Sequence, residues 1–194
     1  MPDDEACNAR DWLTRARSGD SLAFAAIVRG HQRMVYSLAL RMLADRHEAE
    51  DLAQEAFIRL HRRLTLIQSE SHLVFWLRKV TTHLAIDRLR RMPRHEVVSL
   101  NREPDIAGEP NASDPLLQRQ LRGLVEQLPP APRAVVLLRY QEDLDLTEIA
   151  ETLDMSVNTV KSHLRRSLAT MRKRFPDSSV SEAADLELDE DPAS

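Results

Sequence analysis

The stretch HEAEDLAQEAFIRLHRRL, residues 47–64, carries carboxylates at Glu48, Glu50, Asp51 and Glu55 and imidazoles at His47 and His61. Acids and imidazoles at near-helical spacing are the raw material of a metal centre or of general acid–base chemistry. Either chemistry needs side chains that converge on one point. On a helix, His47 and Asp51 share a face and Glu55 follows, but no third imidazole stands at a ligand spacing. His61 falls nearer the apolar side. The single cysteine, Cys7, excludes a thiolate cluster and an internal disulfide. Neither a glycine-rich phosphate loop nor a nucleophile elbow occurs. His31, His72, His83, His95 and His163 are scattered singly, as surface histidines are. The sequence predicts no catalytic residue, no metal and no cofactor.

What the stretch does carry is a helix with two unlike faces. Ala49, Leu52, Ala53, Ala56, Phe57, Leu60 and Leu64 form one apolar stripe. Asp51, Glu55, Arg59 and Arg62 lie on the other side, with Ile58 among them, almost opposite the centre of the stripe. Acids at the start and bases at the end suit the helix dipole. Asp51 and Glu55 repel weakly at four residues apart, whereas Glu55 and Arg59 attract. Helix physics accounts for these charges but not for Ile58. An apolar side chain set in a charged face is the pattern of a docking surface with an anchor.

Composition places this helix in an all-α protein. Only 4 glycines and 4% aromatics fit strand-and-turn architectures poorly, and Leu, Ala, Arg and Glu dominate as in helical chains. Helical periodicity predicts segments at Leu22–Val28, Met34–Leu43, Ala49–Leu64 and Leu73–Met92. A short polar loop, TLIQSES, precedes the last of these, with Ser71 as its N-cap. Residues 93–115 contain four prolines and no sustained period, which predicts a flexible linker. Patterning resumes over Leu116–Leu128, breaks at PPAP, and continues to Tyr140 with Pro132 in the first turn. The expected architecture is two small helical domains: an N-terminal bundle over 10–92 and a C-terminal helix-turn-helix domain over 116–175. An acidic, disordered tail over 176–194 completes it.

Charge is unevenly spread. The formal net charge is −4, yet residues 177–194 hold seven acids and no Lys or Arg, leaving 27 bases against 24 acids elsewhere. A mildly basic body with an acidic tail is a different object from an acidic protein. The N-terminal residues are not expected to form a signal peptide, and no apolar run is long enough to span a bilayer. A reducing cytoplasm is the expected setting, without membrane insertion.

Residues 146–168, LTEIAETLDMSVNTVKSHLRRSL, carry the most specific pattern. A short helix begins at Thr147 and Glu148 and carries Ile149, Ala150 and Leu153. The tight turn DMS follows, with Ser156 placed to cap a second helix bearing Val157, Val160 and Leu164. Two short helices with small Ala150 at their crossing and a three-residue turn make a helix-turn-helix. The second helix exposes Asn158, Thr159, Lys161, Ser162, Arg165 and Arg166, side chains suited to phosphates and base edges in a major groove. Asp154 stands where a turn glycine often sits, and Asp tolerates the left-handed conformation better than most residues. The earlier helix HLVFWLRKVTTHLAIDRLRRM is expected to bury Leu73, Trp76, Leu77, Val80 and Leu84. It is expected to expose Arg78, Lys79, Thr82, His83, Arg90 and Arg91. That basic face is either simply solvated or a second nucleic-acid surface.

Taken in order, DLAQEAFIRLHRRL, FWLRKVTTHLAIDRLRR, LPPAPRAVVLLRY and LTEIAETLDMSVNTVKSHLRRSL resemble the extracytoplasmic-function sigma factors of bacterial RNA polymerase, from about Leu22 to Phe175. The resemblance implies a non-enzymatic subunit that docks on core RNA polymerase and directs promoter-specific initiation, of the kind used in stress responses. Asp51, Gln54, Glu55, Ile58 and Arg59 look like the surface that grips the clamp helices of the largest subunit. Gln68, Ser69, Glu70 and Ser71 in the loop, with Trp76, Arg78, Lys79, Thr82, His83, Arg90 and Arg91, are similar to the segments that melt and read the minus-ten element. A base flipped into such a loop is readable on an edge that the duplex hides. Ser156, Asn158, Thr159, Lys161, Ser162, Arg165 and Arg166 would read the minus-thirty-five element as duplex. The linker would thread toward the RNA exit path, the flap of the second subunit would be a further contact, and an anti-sigma factor is an expected partner.

Three positions depart from the family pattern. His83 stands where Asn is usual, Asn158 replaces a common Gly, and His163 a common Arg, so DNA specificity is expected to differ. The tail lies outside the shared core and is either inert or a regulatory element that competes with DNA for basic faces. The competing function is a free-standing helix-turn-helix regulator, which needs no polymerase-docking face on residues 48–91.

Overall fold

A computed structural model describes residues 12–91 and 115–174, with side chains described from residue 118 onward in the second stretch. The linker expected at 93–115, apart from Pro115, which begins a helix, and the tail expected at 176–194 lie outside the described residues, as do Cys7 and His95. The described chain is helical and divides into two compact units, one on each side of residue 110.

In the first unit, residues 12–17 form α1 and turn through Gly19, whose φ of +93° suits glycine. Asp20 caps α2 (Ser21–Leu43) by accepting from the backbone N–H groups of Leu22 and Ala23 at 2.9 and 3.1 Å. The Arg15 guanidinium closes on the same carboxylate at 2.6 and 2.9 Å. The Ala23 amide bond, then Arg15, hold the Asp20 carboxyl below its usual range. Where periodicity suggests two helices, α2 is one rod of 23 residues. Gly30 in its middle is exposed, and open space surrounds the position a Cβ would take. A helical glycine costs about 1 kcal/mol relative to Ala, less than burying any one of Ile27, Val35 or Leu38 contributes at about 1.5–3 kcal/mol each. The polar run at 29–33 is therefore a solvated turn, not a break.

Ala44 ends α2 in the left-handed conformation (φ 56°), and Asp45 caps α3 (Arg46–Arg63) by accepting from the Glu48 N–H at 3.1 Å. The stripe read from sequence is the core face: Ala49, Leu52, Ala56, Phe57, Leu60 and Leu64 are buried, and Ala53 is half-buried. A 3₁₀ turn, Leu64–Leu66, leads to α4 (Glu70–Arg91). Here Ser69, not Ser71, is the cap. Its Oγ accepts from the His72 N–H at 3.1 Å, because the helix starts earlier than its apolar pattern. Ser71 Oγ instead pairs with Ser69 Oγ at 3.0 Å.

Packed by both α2 and α3, α4 buries Leu73, Leu77, Thr81, Thr82, Leu84, Ala85, Ile86 and Leu89, far more than one stripe. Two expectations fail for that reason. Thr82 is fully buried, its Oγ1 donating to the Arg78 carbonyl at 2.8 Å, so it is no part of an exposed DNA face. Trp76 and Val80 are half-buried, not core.

The second unit contains α5 (Pro115–Glu126), α6 (Pro130–Tyr140), α7 (Leu146–Leu153) and α8 (Val157–Arg174). Arg133 is buried at the α5–α6 turn and donates to the carbonyl of Glu126, an orphan at the end of α5, and to that of Leu128 in the turn. Burial depresses its pKa and raises that of the Glu126 carboxyl, each partly offset by the other's charge. Val135, Leu138, Ile149 and Val160, all fully buried, form the core on which α6, α7 and α8 meet.

Candidate polymerase and nucleic-acid interfaces

The exposed side of α3 carries Asp51, Gln54, Ile58 and Arg59, with Glu55 half-buried among them. Ile58 is 46% exposed although large and apolar. It borders a shallow groove of about 340 Å³ lined by Phe24, Val28, Gln54, Phe57, His61 and Arg62. His61 stands edge-on to Phe24 with ring centroids 4.9 Å apart, which explains its lean toward the apolar side. His47 Nδ1 lies 3.4 Å from Asp51 on the outer surface. Among the described residues, no group of three His, Cys, Asp or Glu side chains converges to hold a metal.

Glu55 is held from two directions. Its Oε1 accepts from Arg59 Nη2 at 2.6 Å, and its Oε2 accepts from Arg88 Nη2 at 3.2 Å. The other arm of Arg88 donates to the Glu48 carbonyl at 2.7 Å and to Glu48 Oε2 at 3.1 Å. Partial burial acts to raise the Glu55 pKa, but the bonds from Arg59 and Arg88 outweigh it and set the carboxyl below its usual range. Arg88 thus ties α4 to the α3 face, and sequence reasoning missed it. The available signal was weak: a base between buried Ala85 and Leu89, whose acidic partners lie 33 and 40 residues away.

At the other end of α4, Gln68, Ser69 and Ser71 are exposed beside Leu66, itself 63% exposed. Glu70 is half-buried and meets His31 Nε2 of α2 at 2.9 Å, and the Gln68 N–H donates to His72 Nδ1 at 3.3 Å. The loop is therefore pinned at both sides of an exposed tip. Along α4, Trp76, Arg78, Lys79 and His83 are half-buried, and Lys79 Nζ sits 5.9 Å from the Phe75 ring centroid. Arg90 and Arg91 are fully on the surface, Arg90 facing Asp87 at 3.9 Å.

In the second unit α7 opens with a capping box. Asp145 accepts from the Thr147 and Glu148 N–H groups at 2.7 and 2.8 Å, and Glu148 accepts from the Asp145 N–H at 2.9 Å. Asp154 closes α7 in the left-handed conformation, φ 52° and ψ 46°, as the turn requires. Ser156 Oγ then accepts from the Thr159 N–H at 3.1 Å and contacts Thr159 Oγ1 at 2.8 Å, capping α8. On α8, Val160, Leu164 and Ser167 are buried, and Asn158, Thr159, Arg165 and Arg166 are exposed. Lys161, Ser162 and His163 are half-buried at the flanks. A capped helix with its donors on the solvent side, braced across a three-residue turn by a second helix, is the geometry that enters a major groove.

Two helical units, the second a helix-turn-helix with a basic recognition helix, define the class of a DNA-reading transcription protein. Residues 27–94 match the family model for sigma-70 region 2, and residues 118–171 match that for sigma-70 region 4. The ECF RNA polymerase sigma factor SigW of Bacillus subtilis is 31% identical over 182 residues, covering 85% of this chain and 95% of that protein. SigE of Mycolicibacterium smegmatis is 35% identical over 164 residues, 80% of this chain and 63% of that one. This chain belongs to the extracytoplasmic-function sigma factors of the sigma-70 family, whose members direct promoter-specific transcription by RNA polymerase. Among solved structures, CnrH in complex with the cytosolic domain of CnrY shares the fold with a TM-score of 0.63, at 19% identity over 88% of this chain and 99% of that one. RpoE of Bartonella quintana, solved with the anti-sigma factor NepR, gives a TM-score of 0.62 at 16% identity over 80% and 98%. No helix among the described residues is long and apolar enough to cross a membrane.

Proposed function

We propose that residues 10–92 dock on core RNA polymerase and open and read the minus-ten element, and that residues 116–175 read the minus-thirty-five element as duplex. Linker 93–115 would join the two in the cytoplasm, without catalytic activity of its own. The docking face is Asp51, Gln54, Glu55, Ile58 and Arg59. The observation that carries this reading is Ile58, an exposed apolar anchor beside a carboxylate fixed by two guanidinium groups. A free-standing regulator with residues 10–92 as a sensor or dimerisation domain needs no polymerase-docking face there. Exposed Gln68, Ser69 and Ser71, with Glu70, Trp76, Arg78, Lys79, His83, Arg90 and Arg91, form the minus-ten surface. Ser156, Asn158, Thr159, Lys161, Ser162, Arg165 and Arg166 form the upstream-element surface. Ser156 acts there through the helix N-terminus that it caps. The RpoE structure with NepR supports an anti-sigma partner for this chain as well.

Charge reversal at Asp51 and Glu55 together is the test of the docking face. Core polymerase affinity, read by competition against labelled chain, should fall by more than tenfold (about 1.4 kcal/mol or more) while duplex binding by the second unit is unchanged. An equal loss of both would leave only a general electrostatic effect and return the chain to the free-standing regulator.

A further inference from the structure

Helix α8 carries Lys161, Arg165, Arg166, Arg172, Lys173 and Arg174 and no acidic residue. No carboxylate on the helix itself therefore offsets its exposed arginines. Helix α4 differs: Arg90 faces Asp87, and Arg88 is taken by Glu48 and Glu55. The residues that follow α8 have the opposite composition. Residues 177–194 hold seven acids and no base, and six of those acids, Glu182, Asp185, Glu187, Asp189, Glu190 and Asp191, fall within 182–191.

Length allows the two to meet. At ~1.5 Å per helical residue, Arg166 lies about 12 Å and Asn158 about 24 Å back along α8 from Arg174. The eight residues from Arg174 to Glu182 span up to about 26 Å when extended. Folded back at the helix end, that length would be enough to bring the acids from Glu182 onward alongside the half of α8 that carries Lys161, Arg165 and Arg166. A short flexible connection sets an effective concentration on the order of millimolar, which would favour an individually weak contact in cis.

We propose that residues 182–191 dock along the exposed face of α8 and compete with DNA for it. The competition half rests on the DNA reading of α8, and the docking half does not. Recognition is by charge: carboxylates of the tail occupy the sites that phosphates would take on Arg165 and Arg166, with Lys161 at the edge. The contact is screened by salt, as the Debye length of about 10 Å at 0.1 M requires.

Two proteins test this beside the full chain: one ending at Pro176, and a full-length variant carrying E182Q, D185N, E187Q, D189N, E190Q and D191N. Against a short mixed-sequence duplex at low salt, both should bind about tenfold more tightly than the parent, the gap closing near ~0.5 M salt. Without DNA, amide resonances of Asn158–Arg166 should shift between the parent and either variant and return to the same positions at high salt. Tighter DNA binding without those shifts means repulsion at a distance and overturns the docking, as do shifts confined to other helices. Equal affinities with the shifts present overturn the competition. If none of the three proteins binds duplex under any salt, it is the DNA reading of α8 that fails, and the resonance shifts alone decide the docking.

Discussion

Arg88 and Glu55 show how a charged side chain becomes a positioned one. In the free helix Glu55 has only Arg59 as its i,i+4 partner, a contact of about 0.3–0.5 kcal/mol at the surface. Arg88 adds a bond from another helix and donates to the Glu48 carboxylate as well, which removes rotamers from both carboxylates. Arg88→Ala should lower stability by about 1–2 kcal/mol, since bonds to charged groups contribute ~1.5–3 kcal/mol and the network is partly solvated. It should also weaken core polymerase binding, and denaturant melts beside competition binding read the two effects separately. The pH dependence follows from the depressed Glu55 pKa. A carboxyl lowered on folding stabilises above its unfolded value, and that contribution is lost as pH falls through the folded value. Stability of the native chain should therefore decline more steeply with acid below about pH 4.5 than that of the Arg88→Ala protein. Parallel acid profiles would remove Glu55 and Arg88 from the account.

At the scale of elements, the second unit depends on local signals and the first on contacts between helices. Asp145 and Glu148 cap α7 reciprocally, Asp154 reverses the chain at φ 52°, and Ser156 starts α8. Asp145→Ala should cost about 1 kcal/mol of stability by loss of the cap, read as a lower melting temperature of the second unit, with the basic face of α8 unaltered. Such signals lie within a few residues of one another, so the sequence exposed the helix-turn-helix almost whole, including the unusual Asp154. The first unit was less legible. The polar run at 29–33 reads as a gap between helices until Ile27 and Val35 are found in the same core. Thr82 reads as exposed on a single-striped helix, and only the packing of both α2 and α3 on α4 buries it. Arg88 escaped notice because its partners are 33 and 40 residues distant. The apolar stripe of α3 and the isolation of Ile58 needed no tertiary knowledge, since the helical period alone separates them.

On the proposed reading, the molecule as a whole couples a grip on polymerase to the reading of two DNA elements. Family membership follows from the order of its region-2 and region-4 sequences, and the surfaces proposed to carry the work follow from exposure and charge. The departures at His83, Asn158 and His163 would, on that reading, bear on which promoter is read. His83 and His163 are half-buried at the flanks of their faces, and Asn158 is exposed at the start of α8. The decisive measurement is run-off transcription with core polymerase, this protein and a set of genomic promoter fragments. Discrete transcripts should appear that require this chain and disappear when Asp51 and Glu55 are reversed in charge. A failure to obtain any promoter-dependent transcript from core enzyme plus this chain, with duplex binding by the second unit intact, would contradict the proposed reading.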